Sequence, residues 1–267
     1  MKNNFFTTEE IKISREFRNK GYIIRNAADN KSLSWIQSKF IKLIKENYKI
    51  DNKISALKTL NIFHKKINKK NLNSFRLKIF NKINNDKNFR LHYYKVAKPF
   101  LEAIVGNELA MQKRVNLSIQ LPKDPSSLLV VHSDTWAGDS PFEVVVWVPL
   151  VNCFKTKSMY ILPANKYNDF HKRVSKKKYT NSEKIYQSIK KHINWLKIDY
   201  GQILIFNQSL PHGNRINKEN ETRWSMNCRF KNIFSPYGDK KIGEFFEPIT
   251  LKPASEIGLK YKFPKIK

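Results

Sequence analysis

Acidic residues, glycine, cysteine and long apolar runs are all in short supply in this chain, and each shortage removes a class of protein. Only 22 of 267 residues are acidic, against 51 that are basic, giving a net charge of +29 and a pI of about 10.0. An acidic, solvating tail is therefore excluded, and the charge needs an explanation. Eight glycines and no repeated or low-complexity segment exclude a Gly-rich linker architecture. Two cysteines, Cys153 and Cys228, form neither a disulfide framework nor a CxxC metal pair. No run approaches the roughly 18 apolar residues of a membrane span. The opening MKNNFFTTEEIK turns acidic and polar after two Phe, unlike the apolar stretch of a signal peptide. A cytoplasmic protein without membrane insertion is the expectation.

What is present is enough for one sizeable core. Hydrophobic residues make up 40% and aromatics 13%, the composition of a globular domain and not of a disordered chain. The basic excess has two readings. One is a polyanionic partner: nucleic acid, an anionic membrane surface or a phosphorylated substrate. The other is compositional drift, because Lys outnumbers Arg roughly four to one and Lys, Asn and Ile are abundant together. Pairs such as Lys65-Lys66 and Lys69-Lys70 lie in helical patterns, without the Arg and aromatic interleaving of nucleic-acid readers. Drift plus solvation accounts best for this pattern.

Residues 1–107 read as a mainly helical layer. Thr7 or Thr8 with Glu9 and Glu10 predicts a helix start, and Gly21 its stop. Tyr22-Ile23-Ile24 reads as a short strand, and Asn30 as the cap of a second helix with Leu33, Ile36, Phe40 and Ile44 on one side. The Lys- and Asn-rich residues 50–90 suggest a mobile lid or a surface insert. From about residue 108 the apolar period falls from 3.6 to 2, predicting strands at 112–121, 128–134, 142–150, 158–163, 194–199, 202–207 and 222–231, with a helical excursion between 165 and 192. Residues 233–267 read as a short irregular extension. Short antiparallel strands after a helical lead-in predict an α+β protein, a jelly roll or barrel flanked by helices.

Two strands alternate cleanly. Asn116, Ser118 and Gln120 share one face of the first, and Arg223, Ser225, Asn227 and Arg229 share one face of the last. Such faces are either solvated or line a polar cavity for an anionic ligand. On the 128–134 strand, His132 and Asp134 are two apart and so point the same way, close enough to chelate one metal. His212 follows the apolar strand Ile203–Phe206 and, in an antiparallel sandwich, can return to the same mouth. Two imidazoles and one carboxylate on one face of an ion leave three positions open, as in Fe(II) oxygenases. Arg223 offers a carboxylate two parallel N–H bonds, and Ser225 adds a hydroxyl on the same face, which suits 2-oxoglutarate. A zinc ion in the same triad remains an open alternative at this level.

In that order, VHSDTWAGD, GQILIFNQSLPHGN and TRWSMN, together with VVVWVPL and SMYILPANKY, resemble the phytanoyl-CoA dioxygenase-like branch of the Fe(II)/2-oxoglutarate oxygenases over residues 110–232. GYIIRN, SLSWIQ and LPKDPSSLLVVHSDTWAGDSPFEVVVWVPL are similar to a subgroup associated with bacterial surface-carbohydrate and aminoglycoside biosynthesis clusters. The resemblance implies a double-stranded β-helix (jelly-roll/cupin-like) core over 108–232 in a single oxygenase domain, with Fe(II) held by His132, Asp134 and His212. It implies 2-oxoglutarate held by Arg223 and Ser225, and O2 as the oxidant. Asp134 stands where halogenases of this fold carry a small residue, so the implied chemistry is hydroxylation or a related oxidation. Asn165 and Lys166 replace the Gly-Ser-His loop of many relatives, so no substrate contact carries over there.

Gln120 is a further candidate for 2-oxoglutarate or a structural amide. Trp136 walls the substrate site or covers its rim. Arg229 binds an anionic substrate group or forms an internal ion pair. His64, His92, His171 and His192 read as surface or packing residues. The expected function is oxidation of a small molecule, such as a sugar or nucleotide-sugar intermediate. Its rivals are a nucleic-acid-directed oxygenase or demethylase and a catalytically silent jelly-roll binding module.

Overall fold

Helix α1 (Thr8–Lys20) begins where the sequence predicts, at Thr7, whose side chain accepts from the Glu10 N–H while the Glu10 carboxylate accepts from the Thr7 N–H at 2.7 Å. This computed structural model describes residues 5–176 and 181–265. Gly21, at φ 78°, ends α1 with a left-handed turn into β1 (Tyr22–Asn26). Helix α2 (Asn30–Lys45) is capped by the Asp29 side chain, one residue ahead of Asn30, and buries Leu33, Ile36, Phe40, Leu43 and Ile44.

The 50–90 stretch is neither a lid nor a surface insert. It contains α3 (Ala56–Asn61) and α4 (Lys69–Asn84), which bury Leu60, Leu72, Phe75, Ile79 and Ile83, with Phe63 between them. Phe63 lies 5.0 Å from Phe75 and 5.0 Å from Trp224, ring centre to ring centre. The lysines that suggested a lid occupy the outer side of helices whose inner side is core. Helices α5 (Phe89–Lys95) and α6 (Lys98–Ile104) complete the layer.

The strands that follow are β2 (Leu109–Gln112), β3 (Asn116–Gln120), β4 (Glu143–Pro149) and β5 (Tyr160–Ile161). After α7 (Ala164–Lys176) and α8 (Ser182–Ile189) come β6 (Asn194–Trp195), β7 (Gln202–Asn207), β8 (His212–Gly213), β9 (Arg223–Asn232), β10 (Phe246–Thr250) and α9 (Pro253–Lys260). The pairings between these strands are all antiparallel. The larger sheet runs β1-β7-β4-β9-β2-β10, with β3 also on β9, and the smaller runs β6-β5-β8.

Three sequence expectations need correction. The 112–121 strand is two strands, broken at residues 113–115, and both pair with β9. The 128–134 strand does not form: Leu128–Val130 lie outside regular structure, and Asp134–Ala137 make a 3-10 turn. The C-terminal extension is not irregular, since β10 joins the sheet at β2 and buries Phe246.

On β9, Trp224, Met226, Cys228 and Phe230 are buried under the helical layer, where Trp224 packs against Phe40, Phe63 and Phe75. The opposite face, Arg223, Ser225, Asn227 and Arg229, lines a cavity of about 370 Å³. Of the two readings of that polar face, the cavity is the one observed. Among the described residues, no helix is long and apolar enough to cross a membrane.

Candidate metal centre and cosubstrate pocket

The two histidines meet because they form one antiparallel bridge. The His132 N–H donates to the His212 carbonyl at 3.0 Å, and the His212 N–H donates back to His132 at 2.9 Å. The rings sit 4.3 Å apart. Asp134 reaches the same point from the first position of the 3-10 turn, with its N–H on the Gln208 carbonyl at 3.1 Å. One donor atom from each of His132, Asp134 and His212 lies within 4.8 Å of the others. The convergence expected from an HxD strand is thus produced by a bridge and a turn.

Each imidazole is oriented by its own backbone. His132 Nδ1 is 2.9 Å from the Val130 carbonyl and His212 Nδ1 is 2.8 Å from the Leu210 carbonyl. A carbonyl only accepts, so both Nδ1 atoms carry a proton and Nε2 is the atom each ring turns toward the shared point. Burial, reinforced by the neighbouring His132, pushes His212 down to about 4, so it is neutral near pH 7. Burial also pulls His132 down, but the hydrogen bond with Asp134 outweighs it and leaves the group above its ordinary value. Asp134 experiences burial that opposes ionisation, yet His132, His212 and Arg229 hold its carboxyl well below the usual range.

His132 Nε2 stands 3.4 Å from Asp134 Oδ1. A bare imidazole lone pair beside a carboxylate repels it unless a cation, proton or metal, lies between them. A divalent metal takes the place of the proton between His132 Nε2 and Asp134 Oδ1, and two imidazoles with one carboxylate on one point are a donor set suited to a divalent first-row metal.

The other Asp134 oxygen is held from behind. Arg229 Nη2 lies 3.0 Å from Asp134 Oδ2 and 3.4 Å from Asp139 Oδ2, while Arg229 Nε donates to Gln208 Oε1 at 2.9 Å. Gln208 Nε2 in turn donates to Glu143 Oε2 and to the Ser140 carbonyl, both at 2.9 Å. Of the two roles open to Arg229 from sequence, the internal ion pair is the one present. Gln208, Asp139 and Glu143 were not singled out from the sequence. Gln208 carries no local signal beyond standing four residues before His212.

Further along the cavity, Arg223 is almost fully buried and its ionisation is pushed down to about 10 by that burial. Its Nη2 donates to Ser118 Oγ at 2.9 Å and its Nη1 to the Ser158 carbonyl at 3.3 Å. Arg223 Nε and Ser225 Oγ are buried with no protein partner. Among the described residues no carboxylate pairs with this cation. A buried guanidinium with a spare donor beside a spare hydroxyl is built for an external carboxylate. Ser118, on the face the alternation predicted, joins this pair.

Gln120 is buried beside the cavity, with its Oε1 unpartnered among the described residues. It sits opposite Arg223 in the sheet, and its amide donates to the Arg215 carbonyl at 2.8 Å. Trp136 lies on the 3-10 turn, 46% exposed and 6.3 Å from Phe170, so it covers the rim and does not wall the cavity. Val145, Trp147, Met159 and Phe206 supply the apolar wall. His92 stacks on Trp35 at 4.1 Å and His64 bonds Thr222, both packing roles.

No protein-family model and no curated protein sequence matches the chain. Solved structures do. The apo form of ThoJ, a non-heme monooxygenase, aligns at TM-score 0.55 and 13% identity, over 91% of this chain and 85% of its own. HygX from Streptomyces hygroscopicus, with nickel and 2-oxoglutarate bound, aligns at 0.51 and 12%, covering 89% and 90%. The epimerase SnoN, in complex with Fe3+, alpha ketoglutarate and nogalamycin RO, aligns at 0.52 and 13%, covering 86% of each chain. The chain has the fold of the non-heme 2-oxoglutarate-dependent enzymes. At these identities the likeness speaks for the fold, and the reactions of these neighbours span oxygenation and epimerisation. Within this fold, His132, Asp134 and His212 are three residues placed so that they could hold one metal ion.

Proposed function

We propose that this chain is an Fe(II)- and 2-oxoglutarate-dependent oxygenase of the phytanoyl-CoA dioxygenase-like branch, acting on a small molecule inside a double-stranded β-helix. The observation that carries the reading is the pairing, in one cavity, of a two-histidine, one-carboxylate donor set with a buried, carboxylate-free arginine.

In this reading His132 Nε2, Asp134 Oδ1 and His212 Nε2 would hold the iron. When bound, the iron and 2-oxoglutarate supply the two-electron activation of O2 that lets an unactivated C–H bond be oxidised, with succinate and CO2 as coproducts. The protein's own residues do the rest. The Val130 and Leu210 carbonyls fix the imidazole tautomers. Arg229 occupies Asp134 Oδ2, leaving Oδ1 as the single oxygen that would ligate the metal. Arg223, Ser225 and Ser118 bind the distal carboxylate, so that the keto-acid end is directed at the metal. Val145, Trp147, Met159 and Phe206 exclude water around the reacting centre, which strengthens every charge interaction there.

A sugar or nucleotide-sugar substrate accords with the narrower sequence likeness. A cytoplasmic setting accords with two free, buried cysteines. The test is direct: the Fe(II)-loaded protein is given 2-oxoglutarate in air, and succinate is measured with and without a panel of sugars and nucleotide sugars. Slow uncoupled succinate formation, accelerated by one panel member, is the expected result. Failure of the metal-loaded protein to bind 2-oxoglutarate would overturn the reading.

A further inference from the structure

Every residue lining the cavity comes from 116–229 except Arg76. It sits on α4, next to Phe75, whose burial against Trp224 fixes the helix at the cavity edge. The Arg76 side chain is half-buried, and among the described residues its hydrogen bond is to a neutral group, Asn73 Oδ1, at 2.7 Å. It forms no ion pair among the described residues.

The other arginines of the cavity have partners. Of the three arginines that line the cavity, Arg229 is paired with Asp134 and with Asp139, which also holds Lys240, and in the oxygenase reading Arg223 takes a carboxylate of 2-oxoglutarate. Arg76 is the lining arginine left without a carboxylate among the described residues. A guanidinium with most of its donors unused, at the edge of a low-dielectric cavity whose other arginines have partners, selects for an anion.

We propose that Arg76 binds an anionic oxygen group of the substrate, a carboxylate or a phosphate, and so restricts the enzyme to acidic small molecules. This rests on the oxygenase reading above and names the substrate class for that site. The anion docks against α4, and the rest of the molecule extends along the cavity toward His132 and His212. The helical layer thus takes part in recognition as well as covering the sheet.

The test uses the full chain loaded with Mn(II) in place of iron and saturated with 2-oxoglutarate, which prevents turnover. Inorganic phosphate and acetate serve as probes, and the paramagnetic relaxation of their phosphorus and proton NMR signals reports an anion held near the metal. The expected result is relaxation enhancement in the unmodified protein, weakened about tenfold or more in Arg76→Gln and largely retained in Arg76→Lys, with the 2-oxoglutarate dissociation constant unaltered in both. Preference for phosphate identifies a phosphorylated substrate, and preference for acetate a carboxylic acid; either supports the proposal. Equal relaxation in Arg76→Gln overturns it, as does a loss of 2-oxoglutarate affinity, which makes Arg76 a cosubstrate anchor. If the unmodified protein fails to take up Mn(II) or 2-oxoglutarate, the oxygenase reading falls with it, a result distinct from failure at Arg76 alone.

Discussion

Arg229 Nη2 lies 3.0 Å from Asp134 Oδ2, while the other oxygen of the same carboxylate faces His132. One carboxylate is thereby divided between a fixed internal cation and the point where three donors meet. The arginine is itself held by Gln208, and Gln208 by Glu143, so the ligating oxygen is aimed by a chain of buried polar contacts.

Arg229→Gln is therefore expected to weaken metal binding without abolishing it. Loss of a partner behind a ligand typically costs about 10–100-fold in metal affinity. The measurement is the Ni(II) or Fe(II) dissociation constant by calorimetry. Unaltered affinity would mean that Asp134 is positioned by its own turn alone.

Removal of a ligand acts differently at the two histidines. His132→Ala and His212→Ala should both eliminate tight metal binding. His212 is the more buried and packs 4.8 Å from Phe206, so its truncation also opens a hole, costing roughly 1–3 kcal/mol of stability. His132 has a partly exposed side chain, so its truncation should cost less. Thermal unfolding of the two metal-free variants reads the difference. Full 2-oxoglutarate turnover by His212→Ala would remove it from the ligand set.

The metal site was legible in the sequence for a reason that turned out to be only half physical. The HxD spacing pointed to convergence through a shared strand face, yet no strand forms at 128–134. His132 is placed by its bridge to His212, a contact between residues far apart in sequence, and Asp134 by a 3-10 turn ended at Gly138 with φ 86°. The apolar run Leu129-Val130-Val131 favours extended structure, but its neighbours leave it only a single bridge. The polar face of β9 was readable because period-2 alternation is a local property. The contacts of Gln208 and the arrival of Arg76 from α4 are tertiary, and nothing in a window of sequence encodes them. The same limit explains the misreading of 50–90. Lysine on a helix exterior and lysine on a lid look alike until the opposite side is seen to be packed.

Arg223→Leu separates cosubstrate from metal. The variant should keep its metal but raise the 2-oxoglutarate requirement by about 2–5 kcal/mol, the usual consequence of removing one partner of a buried charge pair. Ser225→Ala should cost about 1 kcal/mol at the same step. Without cosubstrate the sign reverses. Arg223 is then a buried cation with no carboxylate partner, so its replacement by an apolar side chain should leave the apo protein as stable or more so. Thermal unfolding with and without 2-oxoglutarate checks both signs in one experiment. A destabilised apo Arg223→Leu would show that its bonds to Ser118 and the Ser158 carbonyl are structural.

The net charge of +29 predicts salt-sensitive and sequence-blind attraction to nucleic acid. Lys65, Lys66, Lys69 and Lys70 are exposed, and of these Lys69 bonds a loop carbonyl. Titration with single-stranded DNA, single-stranded RNA and duplex at physiological salt should give weak binding that disappears as salt rises. 2-oxoglutarate consumption should be unaffected by any of them. Submicromolar binding that stimulates turnover would replace the small-molecule reading with a nucleic-acid-directed one.

Phe63→Ala tests the assignment of residues 50–90 to the core. Phe63 is fully buried and meets Tyr48, Phe75 and Trp224 at ring separations of 5.4, 5.0 and 5.0 Å. Truncating such a side chain typically costs about 3–5 kcal/mol, because the lost contacts and the cavity left behind add. Trp224 stands on the outer face of β9, back to back with Arg223 and Ser225 on the cavity face. The hole should therefore also loosen the strand that carries the cosubstrate anchor. The expected outcome is a strongly lowered unfolding midpoint together with a weaker 2-oxoglutarate affinity at temperatures where the variant remains folded. A lid would behave otherwise: its truncation would leave the midpoint nearly unchanged and alter only substrate entry and release. An unchanged midpoint in Phe63→Ala would return the helices of 50–90 to that role.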